Sequence, residues 1–128
     1  MAQPVVFISR HRIRPGKLAE FWQHYQASLP QTLENKPDTQ AQLAYENEAG
    51  SEVTIVRLFP DADALDAQIQ GADIRSQKTY ELIEPTGIEI FGAPNPATLE
   101  KMLKIAGSGI EVRIHPYYEG GFMRFIEP

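Results

Sequence analysis

Hydrophobic and polar positions alternate at the start of the chain and then change to a helical spacing. Residues 5–13 are rich in β-branched and aromatic side chains and end in an apolar–charged alternation, which predicts a strand. Pro15 and Gly16 interrupt it, because proline cannot donate to a strand ladder and glycine accommodates a turn. A helix follows, in which Pro30 is expected to cause a kink or an end and Leu33 to join the core. The apolar stripe of this helix consists of Leu18, Phe21, Trp22, Tyr25 and Leu29.

Alternation returns after this helix and predicts a β-hairpin. Polar and apolar residues alternate over 40–46, and 52–59 is a second run of β-branched and aromatic residues. The polar segment between them contains Gly50. Two such runs joined by a short loop are typical of a hairpin.

A second helical region and a short strand complete the pattern. The aspartate-bearing segment 60–63 marks a helix start, since acidic side chains are favourable near the positive end of the helix dipole. Helical spacing is expected over 62–83, with an interruption at Gly71. The segment 84–87 is expected to end the helix, and a short strand is expected over 88–91.

The order strand, helix, hairpin, helix, strand is that of the ferredoxin-like split βαβ arrangement. We therefore predict an α+β fold with an antiparallel sheet and a ferredoxin-like βαββαβ core over residues 5–95. Residues 96–128 form a C-terminal helix and strand extension, in which 110–126 is expected to be a strand pair or a long arm that extends a sheet or reaches a second subunit. With 128 residues, the whole chain, 1–128, is expected to be a single domain.

Composition and charge exclude several classes of function. The hydrophobic fraction of 42% and the charged fraction of 23% are typical of soluble globular proteins. The net charge is −5, and no nucleic-acid partner is expected because such binding depends on Lys and Arg. The absence of cysteine excludes disulfides and thiolate metal ligands. With no signal-peptide pattern and no membrane-length apolar run, we expect a cytoplasmic protein with no membrane partner.

Two segments resemble a known family. The run 6–17, followed by a helix that carries Phe21 and Trp22, resembles the opening of antibiotic biosynthesis monooxygenase-like domains. The passage 57–65 resembles the strand-to-helix step of the same family, which belongs to the dimeric α+β barrel superfamily. The likeness covers about residues 5–95. It implies a homodimer with sheets packed face to face and, in each subunit, a pocket where small aromatic or quinol-type compounds are oxidised without a metal or flavin cofactor.

The first strand and its neighbours offer the candidate site, an apolar pocket with a few polar groups. His11 is the best candidate base, since imidazole titrates near neutral pH, and the alternative is a structural histidine bonded to the backbone. Arg57 is either an anion clamp or part of a salt bridge, and Trp22 and Tyr25 are either pocket or core residues. The three histidines lack metal-ligand spacing, so no metal is expected. The expected site consists of catalytic His11 and substrate-binding Ser9, Arg57, Phe59, Phe21, Trp22 and Tyr25.

Two functions therefore remain open. The first is a cofactor-independent monooxygenase acting on a small aromatic or quinol-type compound. The alternative is a non-catalytic dimeric α+β barrel that binds a small ligand or serves a stress response. The haem-degrading branch of the superfamily has Asn, Trp and His where this chain has Ser9, Phe59 and Lys78, which argues against haem as a substrate.

Overall fold

A computed structural model describes residues 3–124, apart from the side chains of residues 73–75. The expected helix-and-strand order is present, with the second helical region divided in two. In chain order the elements are β1 (Val5–Ile13), α1 (Leu18–Asn35), β2 (Ala41–Glu46), β3 (Glu52–Phe59), α2 (Ala62–Ile69), α3 (Ala72–Thr79), β4 (Ile83–Phe91), α4 (Pro96–Ala106) and β5 (Glu111–His115).

All five strands join one sheet in the order β2-β3-β1-β4-β5. The pairs β1–β3, β1–β4 and β2–β3 are antiparallel, and this four-stranded part confirms the predicted ferredoxin-like core. The strand of the C-terminal extension pairs with β4 in parallel, so the complete sheet is mixed. The extension therefore lengthens the sheet through a single strand. The second part of the expected strand pair is not a strand over 122–124, and residues 125–126 lie outside the described residues.

The inner sheet face, which the helices cover, carries two separate apolar clusters. One cluster surrounds Phe59 and Leu65 and joins β1, β3 and β4 to α2 and α4. The other surrounds Phe21 and Val53 and joins the opposite end of the strands to α1. Both clusters contain side chains that are fully buried or nearly so. The gap between them determines where the candidate site lies.

The fourth strand is longer than expected. It begins at Ile83 and includes Pro85 and Gly87, which were expected to end a helix ahead of a later strand. The register with β1 shifts between Arg10 and His11, so this stretch contains a bulge. Bulges are sites where strands accommodate proline and glycine. The helical prediction over 62–83 was correspondingly too long.

The first helix also differs from expectation at its C-terminal end. It continues through Pro30, which lies on the exposed side of the helix, where water can satisfy the carbonyl four residues earlier. Leu33 is 81% exposed, so the prediction that it joins the core was wrong. The helix face that turns towards the sheet here is polar.

The placement of Phe59 leads to a stability prediction. Its side chain is fully buried in the first cluster, so Phe59→Ala should lower the free energy of unfolding by about 3–5 kcal/mol. The measurement is urea denaturation at one protein concentration. The exposed Leu33→Ala is the matched control and should change stability by no more than about 0.5 kcal/mol. Equal effects of the two substitutions would contradict the assignment of Phe59 to the core.

Candidate functional site

The inner face of β1 is apolar at both ends and polar in the middle. Val5, Phe7 and Ile13 are buried in the two clusters, and Ser9 and His11 lie between them. Both polar side chains are buried, with 7% and 6% exposure. Because alternate strand residues share a face, this sequence puts two buried polar groups side by side at the centre of the sheet.

A cavity of about 400 Å³ opens at this position between the sheet, α1, α3 and α4. This volume lies within the range of pockets that hold small organic ligands. The α1 wall is aromatic at Phe21 and Tyr25 and polar beyond them. The later α1 residues that line the cavity are Ser28, Gln31, Thr32 and Asn35.

The C-terminal extension contributes a wall of this cavity. Met102, Ile105 and Ala106 of α4 line it and form its apolar side. The helix is attached to α2 by a hydrogen bond from Thr98 Oγ1 to Asp66 Oδ1 of 2.6 Å. The ferredoxin-like core alone would therefore leave the cavity without this wall.

Arg57 is the centre of a hydrogen-bond network on the sheet wall. Its Nε donates to Gln42 Oε1 at 3.1 Å, and its Nη1 donates to Ser9 Oγ at 3.3 Å. Gln42 Nε2 donates in turn to Tyr25 Oη at 3.3 Å. The guanidinium carbon lies 5.6 Å from the ring centre of Phe7. These contacts join β1, β2, β3 and α1 on one side of the cavity.

His11 is uncharged in this environment. Burial, and then the positive charge of Arg57, lower the pKa of the imidazole from 6.5 to about 4, although a hydrogen bond with the Val53 backbone opposes the shift. Its Nδ1 is buried and makes no hydrogen bond with any residue that the structure describes. Because buried polar atoms usually have partners, this nitrogen identifies a position where a ligand can bind.

The opposite wall carries a second group of polar side chains. His24 Nε2 lies 3.0 Å from Thr79 Oγ1, which connects α1 to α3, and the His24 side chain is half-buried. Tyr80 also lines the cavity, and burial raises the pKa of its hydroxyl group. A hydrogen bond with the Ser76 side chain and the positive charge of Arg57 oppose this shift.

Most of the expected site residues line the cavity, and two of them lie outside it. Phe59 does not line the cavity, because at the end of β3 it packs into the core cluster with α2. Trp22 is also absent from the lining, because its ring lies beside the second cluster and its Nε1 donates to Glu46 Oε1 at 3.0 Å. The expected residues that share the cavity are Ser9, His11, Arg57, Phe21 and Tyr25.

Gln42 is the main lining residue that the sequence did not single out. It lies on the polar face of β2, and its pairing partner in β3 is Arg57. The alternation in β2 identified this face, but the apolar Leu43 and Tyr45 on the other face are 50% and 59% exposed. Only the pairing with Arg57 shows that the polar face is the one turned inward.

Neither a metal-ion cluster nor a membrane-spanning helix is present in the part of the chain that the structure describes. Across 3–124, excluding the three undescribed side chains, no three His, Asp or Glu residues form a group that could hold a metal ion. No helix in that part of the chain is long and apolar enough to cross a bilayer.

The low pKa of His11 gives stability a pH dependence of known sign. The unfolded histidine titrates near pH 6.5 and the folded one near 4, so the unfolded state binds more protons below 6.5. The free energy of unfolding should therefore fall between pH 6.5 and about 4, by about 3 kcal/mol over the full window.

Urea denaturation at several pH values checks this linkage. His11→Gln should show a smaller acid-side loss than the parent protein. Ser9→Ala is the control, because it changes the same strand face without removing a titratable group. If all three proteins lose stability equally on acidification, burial does not hold His11 neutral.

Solved structures with the same fold lie at low sequence identity. No family model and no curated protein matches the sequence. MupZ from Pseudomonas fluorescens matches over 95% of both chains at 14% identity, with a TM-score of 0.63. SnoaB, a cofactor-independent oxygenase from Streptomyces nogalater, matches over 73% of this chain and 96% of its own at 18% identity, with a TM-score of 0.59. A protein from Bacteroides thetaiotaomicron, provisionally described as an antibiotic biosynthesis monooxygenase, matches over 69% of this chain and 85% of its own. The identity is 19% and the TM-score is 0.57.

These matches differ in how much of the C-terminal extension they include. The MupZ match has to contain most of the extension because it covers 95% of the chain, whereas the SnoaB match covers 73%. The likeness to antibiotic biosynthesis monooxygenase-like domains is thus confirmed for the fold. The chain has the α+β fold of those proteins, with a ferredoxin-like core in a mixed five-stranded sheet.

Proposed function

We propose that this protein is a cofactor-independent monooxygenase that oxidises a small aromatic or quinol-type compound in the cavity between sheet and helices. The observation that carries the proposal is a buried, neutral His11 beside the guanidinium of Arg57 on the cavity wall. A base next to a cation is the arrangement needed to remove a proton and stabilise the anion that results. The fold, shared with a protein described as a cofactor-independent oxygenase, supports the same chemistry.

His11 would act as the general base. Its low pKa keeps the imidazole unprotonated at neutral pH but also makes it a weak base in the empty cavity. A substrate anion that forms next to the ring offsets this weakness, since a neighbouring negative charge favours the imidazolium. Arg57 contributes by attracting the same anion.

The reaction balances without an external reductant. A ring methylene group flanked by aromatic rings gives one proton to His11, and the carbanion reacts with dioxygen to form a C–O bond. Loss of the second hydrogen as a proton with cleavage of the O–O bond leaves a carbonyl group and one water molecule. The carbon loses four electrons and dioxygen gains four, so the chain has to supply only binding, a base and charge stabilisation.

The competing function is a ligand-binding protein without catalysis. The polar α1 wall at Ser28 and Thr32 is compatible with either function, since hydroxyl groups orient a ligand whether or not it reacts. A single measurement distinguishes the two functions, because only the enzyme consumes dioxygen when a quinol-type ligand is bound.

Oxygen uptake with anthrone as the test substrate examines the catalytic proposal. His11→Gln should lower the rate by about 10²–10⁴-fold, the usual effect of removing a general base. The control is Arg12→Gln, which changes the neighbouring residue on the exposed side of the same strand. Thermal unfolding of both variants shows whether they fold. Binding of anthrone by the parent protein without oxygen uptake would contradict the enzyme and favour the binding protein.

We also propose that the chain forms a homodimer through the outer face of its sheet. In that face Leu43, Val56 and Ile8 lie side by side on β2, β3 and β1, and Leu43 is 50% exposed. A row of apolar side chains on an uncovered sheet face favours association. Charged pairs such as Arg10–Glu89, at 3.2 Å, lie beside this row.

Sedimentation velocity at micromolar concentration tests the dimer. The parent protein should sediment as a dimer and Val56→Asp as a monomer, because the substitution introduces a charge into the apolar row. Leu33→Asp introduces the same charge at an exposed leucine of α1 and should remain dimeric. A monomeric parent protein, or equal behaviour of both variants, would refute this interface.

A further inference from the structure

On the sheet wall, Tyr25 and Ser9 each accept a hydrogen bond, so their hydroxyl hydrogens can be donated to a ligand. We infer that the ligand of this cavity is an aromatic acid, whose carboxylate is bound by Arg57, Tyr25 and Ser9. The inference rests on the proposed function only in assuming that the ligand occupies this cavity. It holds for an enzyme and for a binding protein alike.

The first donor follows from the orientation of the Gln42 amide. A guanidinium can only donate, so the Gln42 oxygen must face Arg57 Nε, at 3.1 Å, and the Gln42 NH₂ must face Tyr25 Oη, at 3.3 Å. Tyr25 therefore accepts this hydrogen bond. Its own hydroxyl hydrogen is not used in the Gln42 contact.

The second donor follows in the same way. Ser9 Oγ accepts from Arg57 Nη1 at 3.3 Å, so the Ser9 hydroxyl hydrogen is not used in this contact either. Ser9 is buried, and a buried hydroxyl group without an acceptor for its hydrogen is unfavourable. Beside the guanidinium, this wall therefore carries two hydroxyl hydrogens that neither contact uses.

The charge of the lining agrees with these hydroxyl donors. The described lining residues include Arg57 and Lys36 and contain no aspartate or glutamate. A carboxylate accepts hydrogen bonds through two oxygens and donates none, so it fits a wall of donors and positive charge. A neutral polycyclic hydrocarbon would offer no acceptor to the Ser9 and Tyr25 hydroxyl groups.

His11 defines the part of the ligand that is not the acid group. A neutral imidazole has one nitrogen without a proton, which is an acceptor, so it does not match a carboxylate. We therefore expect the carboxylate at Arg57 and a hydroxyl or acidic C–H group at His11. The two polar ends of the ligand thus have opposite hydrogen-bonding character.

Isothermal titration calorimetry with two matched probes tests the inference. The probes are 2-naphthoate and 2-naphthamide, which have the same ring system and differ in the charge of the substituent. The parent protein should bind the carboxylate at least about tenfold more tightly, because charge-assisted hydrogen bonds are stronger than neutral ones. The chain has a net charge of −5, so its overall field does not favour an anion, and such a preference has to be local.

Variants identify the residues responsible for the preference. Arg57→Gln should reduce the ratio of the two dissociation constants to within about twofold. Tyr25→Phe should weaken binding of the carboxylate more than that of the amide, and it tests the same wall if Arg57→Gln fails to fold. Arg12→Gln is the control, because this cation lies on the exposed face of β1, pairs with Glu84 at 3.4 Å and does not line the cavity. The control should keep the preference.

Each outcome decides the inference. Equal binding of the two probes by the parent protein, or failure of both to bind, would overturn it. A preference that survives Arg57→Gln and Tyr25→Phe, or that disappears in Arg12→Gln, would overturn it as well. A retained carboxylate preference without oxygen uptake would refute only the proposed monooxygenase and leave the aromatic-acid site in place.

Discussion

Two buried polar residues at the centre of β1 are the constraint on which the site depends. If Ser9 and His11 were apolar, the inner sheet face would be continuous from Val5 to Ile13 and the two core clusters could merge. Polar groups cannot be buried against hydrocarbon without hydrogen bonds, so neighbouring elements have to supply polar partners or leave space. Arg57 is the partner of Ser9, and the cavity is the space beside His11.

The first helix adapts to this interrupted core by changing character along its length. Phe21, which is 1% exposed, closes the second cluster. Further along, Ser28 Oγ donates to the carbonyl of Tyr25 and Thr32 Oγ1 to the carbonyl of Ser28, so these hydroxyl groups are satisfied within the helix. A helix can therefore turn a polar face towards the sheet without requiring partners there. The cavity remains open because no apolar side chain on this face extends to fill it.

The sequence predicted the fold better than it predicted the site. Periodicity reports which residues share a face, and β1, α1, β2 and β3 were predicted on that basis. It failed at Pro85 and Gly87, because a bulge in paired strands accepts residues that usually end an element. It also grouped Phe59 with the pocket, although the strand ends there and α2 covers the ring. Gln42 required the register of β2 against β3, which is a long-range property that the sequence pattern does not contain.

The position of Arg57 next to His11 couples ligand binding to the strength of the base. In the empty cavity the guanidinium lowers the pKa of His11 through its charge, in addition to the effect of burial. An anionic ligand group at Arg57 would neutralise that charge and raise the pKa of His11 towards its ordinary value. By linkage, the same interaction makes the anion bind more tightly when His11 carries a proton. A base that is weak when the site is empty and stronger when an acid group is bound would react mainly with ligands that Arg57 has recognised. The positive charge of Arg57 would then serve both steps: it binds the acid group of the ligand, and its neutralisation strengthens His11 as a base.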